Sequence, residues 1–130
     1  MGTRLLIADG DGAWTELYRT IFSQRGYEVE TATEGLECLA KLYQFMPRVL
    51  LLDLELPRGG AESVLAWIRN GSNTPSVAVV LTAYDAPREA LSERLAPPVV
   101  QCFRKRSLMT SLLESIRSVA VRGSASCHAR

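Results

Sequence analysis

Two short apolar runs in this chain of 130 residues each end at an aspartate. Residues 5–8 precede Asp9, with Asp11 two places later, and residues 49–52 precede Asp53. Apolar runs this short, bounded by Gly and Pro, are typical of strands buried on both faces of a parallel sheet. Chemistry in such sheets collects at the carboxyl ends of the strands, which favours a reactive role for Asp53. By itself, Asp53 fits equally well a residue that only opens a turn.

Two further predicted strands end in a hydroxyl and in a basic cluster. Residues 77–81 precede Thr82, and residues 99–103 precede a cluster that contains Lys105. In a parallel sheet these groups would meet the aspartates at one edge. Clustered carboxylates repel one another and attract a hard cation such as magnesium, while a hydroxyl and an ammonium can bind an anionic group. This combination indicates phosphoryl transfer to Asp53.

Along the chain, segments with the apolar pattern of a strand alternate with segments that have apolar residues at helical spacing. Apolar runs and alternating patterns predict five strands, at residues 5–8, 27–31, 49–52, 77–81 and 99–103. Apolar residues at helical spacing predict five helices, which open near residues 13, 33, 61, 87 and 108. The fold class is therefore α/β, a single doubly wound sheet of five parallel strands with helices on both faces. Residues 122–130 lack an apolar period and are predicted to form a flexible tail.

Composition limits the partners and the compartment. Fifteen basic and fourteen acidic residues leave a net charge of +1, so we expect neither nucleic acid nor a membrane as a direct partner. Three scattered cysteines favour reduced thiols over a disulfide framework, and no apolar run approaches the length of a membrane span. We expect a soluble, cytoplasmic protein. Because no DNA-binding or catalytic module follows the last predicted helix, we expect a stand-alone domain whose signal another protein reads.

Four motifs in fixed order carry a resemblance to a known family. They are LLIADGD, LLLDLELP, VVLTAYD and the lysine of FRKR. The chain resembles the response-regulator receiver family, the CheY-like phosphoacceptor domains of two-component signalling, over about residues 4–121. The resemblance implies a receiver domain at residues 1–121 and the flavodoxin-like strand order 2-1-3-4-5. It also implies a signalling domain and not an enzyme, with at most self-catalysed phosphorylation and dephosphorylation.

The resemblance assigns roles to individual residues. Asp53 would accept a phosphoryl group from a phosphohistidine donor, with magnesium bridging the carboxylate and the phosphate. Thr82 and Lys105 would contact the phosphoryl group through their side chains, and Ala83 would contact it through its backbone. The implied metal ligands are Asp9, Asp11, Asp53 and the backbone carbonyl of Glu55. A sensor histidine kinase or a phosphotransfer protein would be the donor, and an unidentified protein would be the downstream partner.

The chain departs from the family pattern at three positions. Gly10 stands where the family has a second acid, so we expect magnesium to bind weakly. Arg106 replaces the proline after the lysine, and we expect a trans or a strained Lys105–Arg106 bond because a non-proline cis bond costs about 2.5 to 4 kcal/mol. Cys102 replaces the aromatic switch residue, and Phe103 should point to the opposite face of its strand.

Three functions compete. The first is a phosphorylated switch, and the second is a degenerate receiver that binds a partner without ever being phosphorylated. The third is a nucleotide-binding enzyme, prompted by Gly10 and Gly12, but Thr15 stands where a dinucleotide fingerprint needs Gly or Ala. By the resemblance, the surface of the predicted fourth helix, fifth strand and fifth helix is where partners bind or the chain dimerises.

Overall fold

The computed structural model describes residues 2–58, 60–71, 76–84, 89, 93–105 and 107–128, with the side chains described as far as Val121. Within these residues, one sheet of five parallel strands forms the centre of the molecule, in the order β2-β1-β3-β4-β5. The strands are β1 (Arg4–Ala8), β2 (Glu28–Ala32), β3 (Val49–Asp53), β4 (Ala78–Ala83) and β5 (Val99–Arg104). The predicted fold class and strand order are confirmed.

Four helices are described. They are α1 (Gly12–Gln24), α2 (Gly35–Phe45), α3 (Gly60–Asn70) and α4 (Met109–His128). The helix predicted from Pro87 through Leu95 falls mostly on residues 85–88 and 90–92, which lie outside the described residues. Among the helices described, none combines the length and the apolar character needed to cross a membrane.

The sheet separates two apolar cores because side chains alternate across each strand. Leu6, Leu50 and Leu52 pack on one face, under α2 and α3. Leu5 and Leu51, with Ile7 and Val49, pack on the other face under α1 and α4. Every residue of β3 is buried, which explains why this strand appears in the sequence as a continuous apolar run that ends at a carboxylate.

The end of α4 bears on the tail predicted at residues 122–130, whose flexibility stays a prediction. A tail was predicted from Arg122 because the apolar period stops there, yet the helix continues through His128. An apolar stripe reports the burial of a helix face and not the helical backbone hydrogen bonds, so its end does not fix the end of the helix. The domain boundary at residue 121 stays a prediction.

Candidate functional site

Asp53 is the last residue of β3, and it is buried at the carboxyl edge of the sheet. Its Oδ1 accepts a hydrogen bond from the backbone amide of Glu55 at 3.1 Å, and its Oδ2 lies 3.4 Å from the Lys105 ammonium. Burial, followed by the charge of Asp9, raises the pKa of Asp53 to about 6, although the Glu55 amide and the Lys105 ammonium favour the carboxylate. Ionisation of Asp53 therefore costs free energy in the folded protein, and pKa shifts of this kind are common in functional sites.

Thr82 and Ala83 end the neighbouring strand beside Asp53. The sheet register pairs Asp53 directly with Thr82, and both Thr82 and Ala83 are buried. The carbonyl of Ala83 accepts a hydrogen bond from the Lys105 amide at 2.9 Å, so β4 also fixes the position from which the Lys105 side chain starts. The structure thus brings together the nucleophile, the hydroxyl and the ammonium predicted from the sequence.

Lys105 lies just past the end of β5, and its side chain is only 3% exposed. Its Nζ lies 2.6 Å from Asp9 Oδ2 and 3.4 Å from Asp53 Oδ2. The same Nζ lies over the Trp14 ring, 5.2 Å from the ring centroid. One buried ammonium therefore serves two buried carboxylates, and it lies closer to Asp9.

Asp9 and Asp11 have structural partners in the loop after β1. Asp9 Oδ1 accepts a hydrogen bond from the Asp11 amide, and Asp11 Oδ1 accepts one from the Ala13 amide, both at 2.9 Å. Asp11 is thereby the N-cap of α1, where an aspartate also stabilises the positive end of the helix dipole. Both residues were predicted as metal ligands. In this structure, each carboxylate already accepts a hydrogen bond from a backbone amide.

Gly10 is closely covered by Pro57. A Cβ atom on Gly10 would lie 2.6 Å from Pro57 Cδ and 3.1 Å from Pro57 Cγ. The φ angle of Gly10 lies outside the left-handed range, so the backbone conformation does not require glycine. The close approach of Pro57 is what excludes a side chain here.

Glu55 and Tyr84 lie at the open side of the site. Glu55 Oε1 accepts a hydrogen bond from the Tyr84 amide at 3.1 Å, which links the segment after β3 to the end of β4. A cavity of about 650 Å³ opens here, and Lys105 and Asp53 line it from below. Its remaining lining residues are Gly10, Asp11, Trp14, Glu55, Pro57 and Tyr84.

The donor atoms of this cavity suit magnesium only in part. Asp11, Asp53 and Glu55 are among its lining residues, and magnesium prefers oxygen ligands. However, no group of three or more acidic, histidine or cysteine side chains able to hold a metal occurs in the part of the chain that the structure describes. Asp9 pairs with Lys105 and Asp11 caps α1, and the role of Asp9, Asp11 and Asp53 as metal ligands stays a prediction. The residues fit a magnesium ion that keeps most of its water.

The other two departures from the family pattern have different outcomes. Cys102 packs on the α2 and α3 side of the sheet and Phe103 on the α1 and α4 side, as expected for neighbours on a strand. The Lys105–Arg106 bond involves a residue outside the described part of the chain, so the expectation of a trans or strained bond stays a prediction.

Two aromatic residues of α1 belong to the site although the sequence placed them only on a helix face. Trp14 lies over Lys105, and Tyr18 is buried below it. Burial, and then the charges of Asp9 and Asp53, raise the pKa of Tyr18, so its ring lies within electrostatic reach of both carboxylates. Helical spacing predicts only that Trp14 and Tyr18 lie on the inner face of α1, because it reports burial and not contact with a charge.

Known proteins resemble the chain both in sequence and in fold. The family model described as the response regulator receiver domain matches residues 5–117. The response regulator MprA of Mycobacterium bovis is 37% identical over 97 residues, which are 74% of this chain and 40% of that protein. The transcriptional regulatory protein CpxR homolog of Haemophilus influenzae is 36% identical over 86 residues, 66% of this chain and 37% of that protein.

Solved structures of receiver domains and of a chemotaxis protein share the fold of this chain. A CheY-like response regulator receiver domain protein from Methanospirillum hungatei superposes with a TM-score of 0.81 at 26% identity, covering 94% of this chain and 96% of that one. The chemotaxis protein CheY4 of Vibrio cholerae gives a TM-score of 0.80 at 22% identity, covering 92% and 99%. The chain belongs to the response regulator receiver domain family of two-component signalling. It spans about two fifths of the length of these curated relatives.

Proposed function

We propose that this receiver domain accepts a phosphoryl group on Asp53 and transmits the change to another protein. The observation that carries the proposal is the position of Asp53, buried at the end of β3, paired in register with Thr82 and 3.4 Å from the Lys105 ammonium. A nucleophile, a hydroxyl donor and a cation at one strand edge are the parts that phosphoryl transfer needs.

In the proposed reaction, one carboxylate oxygen of Asp53 forms a bond to phosphorus. The bond from phosphorus to the donor breaks, and its electron pair leaves with the imidazole of a phosphohistidine or with acetate from acetyl phosphate. Lys105 and Thr82 then hold oxygens of the transferred group by their charge and hydroxyl, and the Ala83 backbone contacts it. Magnesium, when bound at Asp53 and the Glu55 carbonyl, supplies neutralising charge for the phosphate oxygens.

A sensor histidine kinase or a phosphotransfer protein is the proposed donor, as it is for receiver domains generally. The proposed partner surface combines the predicted fourth helix, which lies largely outside the described residues, with β5 and α4. A stand-alone role and dimerisation through that surface stay predictions.

A degenerate receiver remains the second candidate because Lys105 lies closer to Asp9 than to Asp53 and the metal ligands are few. The test is to incubate the protein with magnesium and acetyl phosphate and then measure its intact mass. We expect the added mass of one phosphoryl group in the parent and none in Asp53→Asn. No uptake by the folded parent, or equal uptake by Asp53→Asn, would reject phosphorylation of Asp53.

A further inference from the structure

Trp14 places the face of its indole ring against the ammonium of Lys105. The Nζ atom lies 5.2 Å from the ring centroid, within the roughly 6 Å over which a cation is attracted to an aromatic face. The side chain of Lys105 is almost completely removed from water, and the attraction is stronger when the cation is desolvated. Trp14 is therefore a third partner of Lys105, beside the two carboxylates.

The position of this ring is supported from below. Trp14 packs against Tyr18 with ring centroids 5.4 Å apart, and Tyr18 packs against Phe22 at 6.4 Å. Residues four apart lie on one face of a helix, so these rings form a row along the inner side of α1. Tyr18 and Phe22 are buried, while Trp14 is partly exposed at the end of the row and lines the cavity with Asp53.

The Trp14 ring and the carboxylates have different effects on the positive charge of Lys105. Asp9 and Asp53 each carry a full negative charge when ionised, and each neutralises the ammonium that it binds. The quadrupole of an aromatic face attracts the cation without neutralising it. Trp14 can therefore hold Lys105 beside Asp53 and leave its charge available for a further anion.

We propose that Trp14 is a positioning residue that holds Lys105 for the phosphoryl group on Asp53 and covers that group from water. The proposal rests on the function proposed above. Loss of the phosphoryl group needs a water oxygen to bond to phosphorus while the bond from phosphorus to Asp53 breaks. The electron pair then returns to the carboxylate, and both protons of the water leave with inorganic phosphate as dihydrogen phosphate. Without the ring, Lys105 drifts toward Asp9, which is already its closer partner, and water reaches phosphorus more easily.

The first test needs no phosphorylation. Lys41 and Lys105 are the two lysines of the chain, so labelling of lysine with ¹³C gives two ε-methylene signals in an NMR spectrum. The ring current of Trp14 should shift the Lys105 signal upfield, while Lys41, which pairs with Glu30 and Glu37, serves as the internal control. Trp14→Phe should keep an upfield shift, and Trp14→Leu should lose it.

The second test follows the phosphorylated state in the same variants, after thermal melting has shown that each is folded. Trp14→Phe keeps an aromatic face, whereas Trp14→Leu keeps an apolar side chain without one. We expect Trp14→Leu to take up phosphoryl groups from acetyl phosphate about fivefold more slowly and to lose them about fivefold faster, with Trp14→Phe close to the parent.

The outcomes separate the two proposals. Unshifted Lys105 signals in the parent, or equal phosphoryl lifetimes for Trp14→Leu and Trp14→Phe, would overturn the role of Trp14. No uptake by any variant would instead overturn the proposed phosphorylation, and the NMR shifts would still decide whether Trp14 positions Lys105.

Discussion

The ammonium of Lys105 lies 2.6 Å from Asp9 and 3.4 Å from Asp53, so the lysine expected to serve the phosphoacceptor lies nearer to its neighbour. Both carboxylates are buried, and the buried ammonium of Lys105 faces the pair. Burial is the largest influence on the pKa of Asp53 and raises it, and the charges of Asp9 and Lys105 should adjust that pKa further, in opposite directions.

The first prediction concerns Asp9→Asn. The charge of Asp9 raises the pKa of Asp53, and the charge of Lys105 lowers it. The variant removes the first influence and leaves the ammonium free to approach Asp53, so the pKa of Asp53 should fall below about 6. Carboxyl ¹³C NMR titration in the presence of a chelator measures it. Asp11→Asn, at the exposed N-cap of α1, should leave this pKa unchanged, and a pKa in Asp9→Asn at or above that of the parent would contradict the prediction.

The second prediction is a dependence of stability on pH. The pKa of Asp53 is raised from 3.8 to about 6, so folding favours the protonated acid. The stability that Asp53 contributes is thus fully present below about pH 3.8 and is lost as the pH rises through about 6. Asp53→Asn cannot ionise and should be more stable than the parent at pH 7, by on the order of 1 to 3 kcal/mol, with much of the gain lost near pH 4.

Urea unfolding with a chelator present, at pH 4 and pH 7, measures this difference between Asp53→Asn and the parent. Asp11→Asn serves as the control because it also removes one negative charge, but from an exposed residue. A parent as stable as Asp53→Asn at pH 7 would show that Asp53 is not held ionised at a cost.

The third prediction concerns the open side of the cavity. The amide of Tyr84 donates a hydrogen bond to Glu55, and Tyr84, 47% exposed, lines the cavity that contains Asp53. Tyr84→Ala should lose its phosphoryl group about threefold faster, a change in the barrier of under about 1 kcal/mol. Tyr43→Ala removes a ring of similar exposure, 43%, from α2 and should not change the rate. Equal lifetimes for Tyr84→Ala and the parent would reject shielding by this ring.

The sequence was sufficient for the strands and for the edge at which the site lies. Continuous apolar runs predicted β1, β3 and β4, because strands buried on both faces need apolar residues at nearly every position. β5 lies at the edge of the sheet, contains Gln101 and is buried only at Val99, so its sequence pattern is weaker. Residues that follow such runs must lie at the carboxyl edge of a parallel sheet, which is why Asp53, Thr82 and Lys105 were found together.

The sequence could not predict those contacts in the site that depend on differences in distance of an ångström or two. Residue types alone do not say whether Lys105 lies closer to Asp9 or to Asp53. They also do not show that an oxygen of Asp11 accepts a hydrogen bond from the first turn of α1. Trp14 looked like a core residue because helical spacing reports burial and not contact with a charge. The exclusion of a side chain at Gly10 comes from Pro57, far away in sequence.

The close packing of Gly10 against Pro57 gives a fourth prediction. A methyl group on Gly10 would lie 2.6 Å from Pro57 Cδ, and the ring of proline cannot rotate away. Gly10→Ala should therefore destabilise the domain by about 1 to 3 kcal/mol, the usual cost of overpacking. In the Pro57→Ala background the same change should cost much less, and urea unfolding of the four proteins measures this coupling. If the changes in unfolding free energy caused by Gly10→Ala and Pro57→Ala are additive, the proposed clash between these two positions is wrong.

The last prediction uses this background to place an acid at position 10, where the receiver family has one, in the proposed metal site. Gly10→Asp alone combines a new ligand with a clash, whereas Gly10→Asp with Pro57→Ala adds the carboxylate where space has been made. Magnesium favours oxygen ligands, and Asp9 and Asp11 are both engaged by protein partners. The double variant should thus bind magnesium at least about tenfold more tightly than Pro57→Ala, a gain of about 1.4 kcal/mol. Calorimetric titration measures both affinities, and the comparison with Pro57→Ala cancels the effect of the lost ring. Equal affinities would show that Asp9 or Asp11 leaves its present partner to bind the metal, so that Gly10 does not weaken the site.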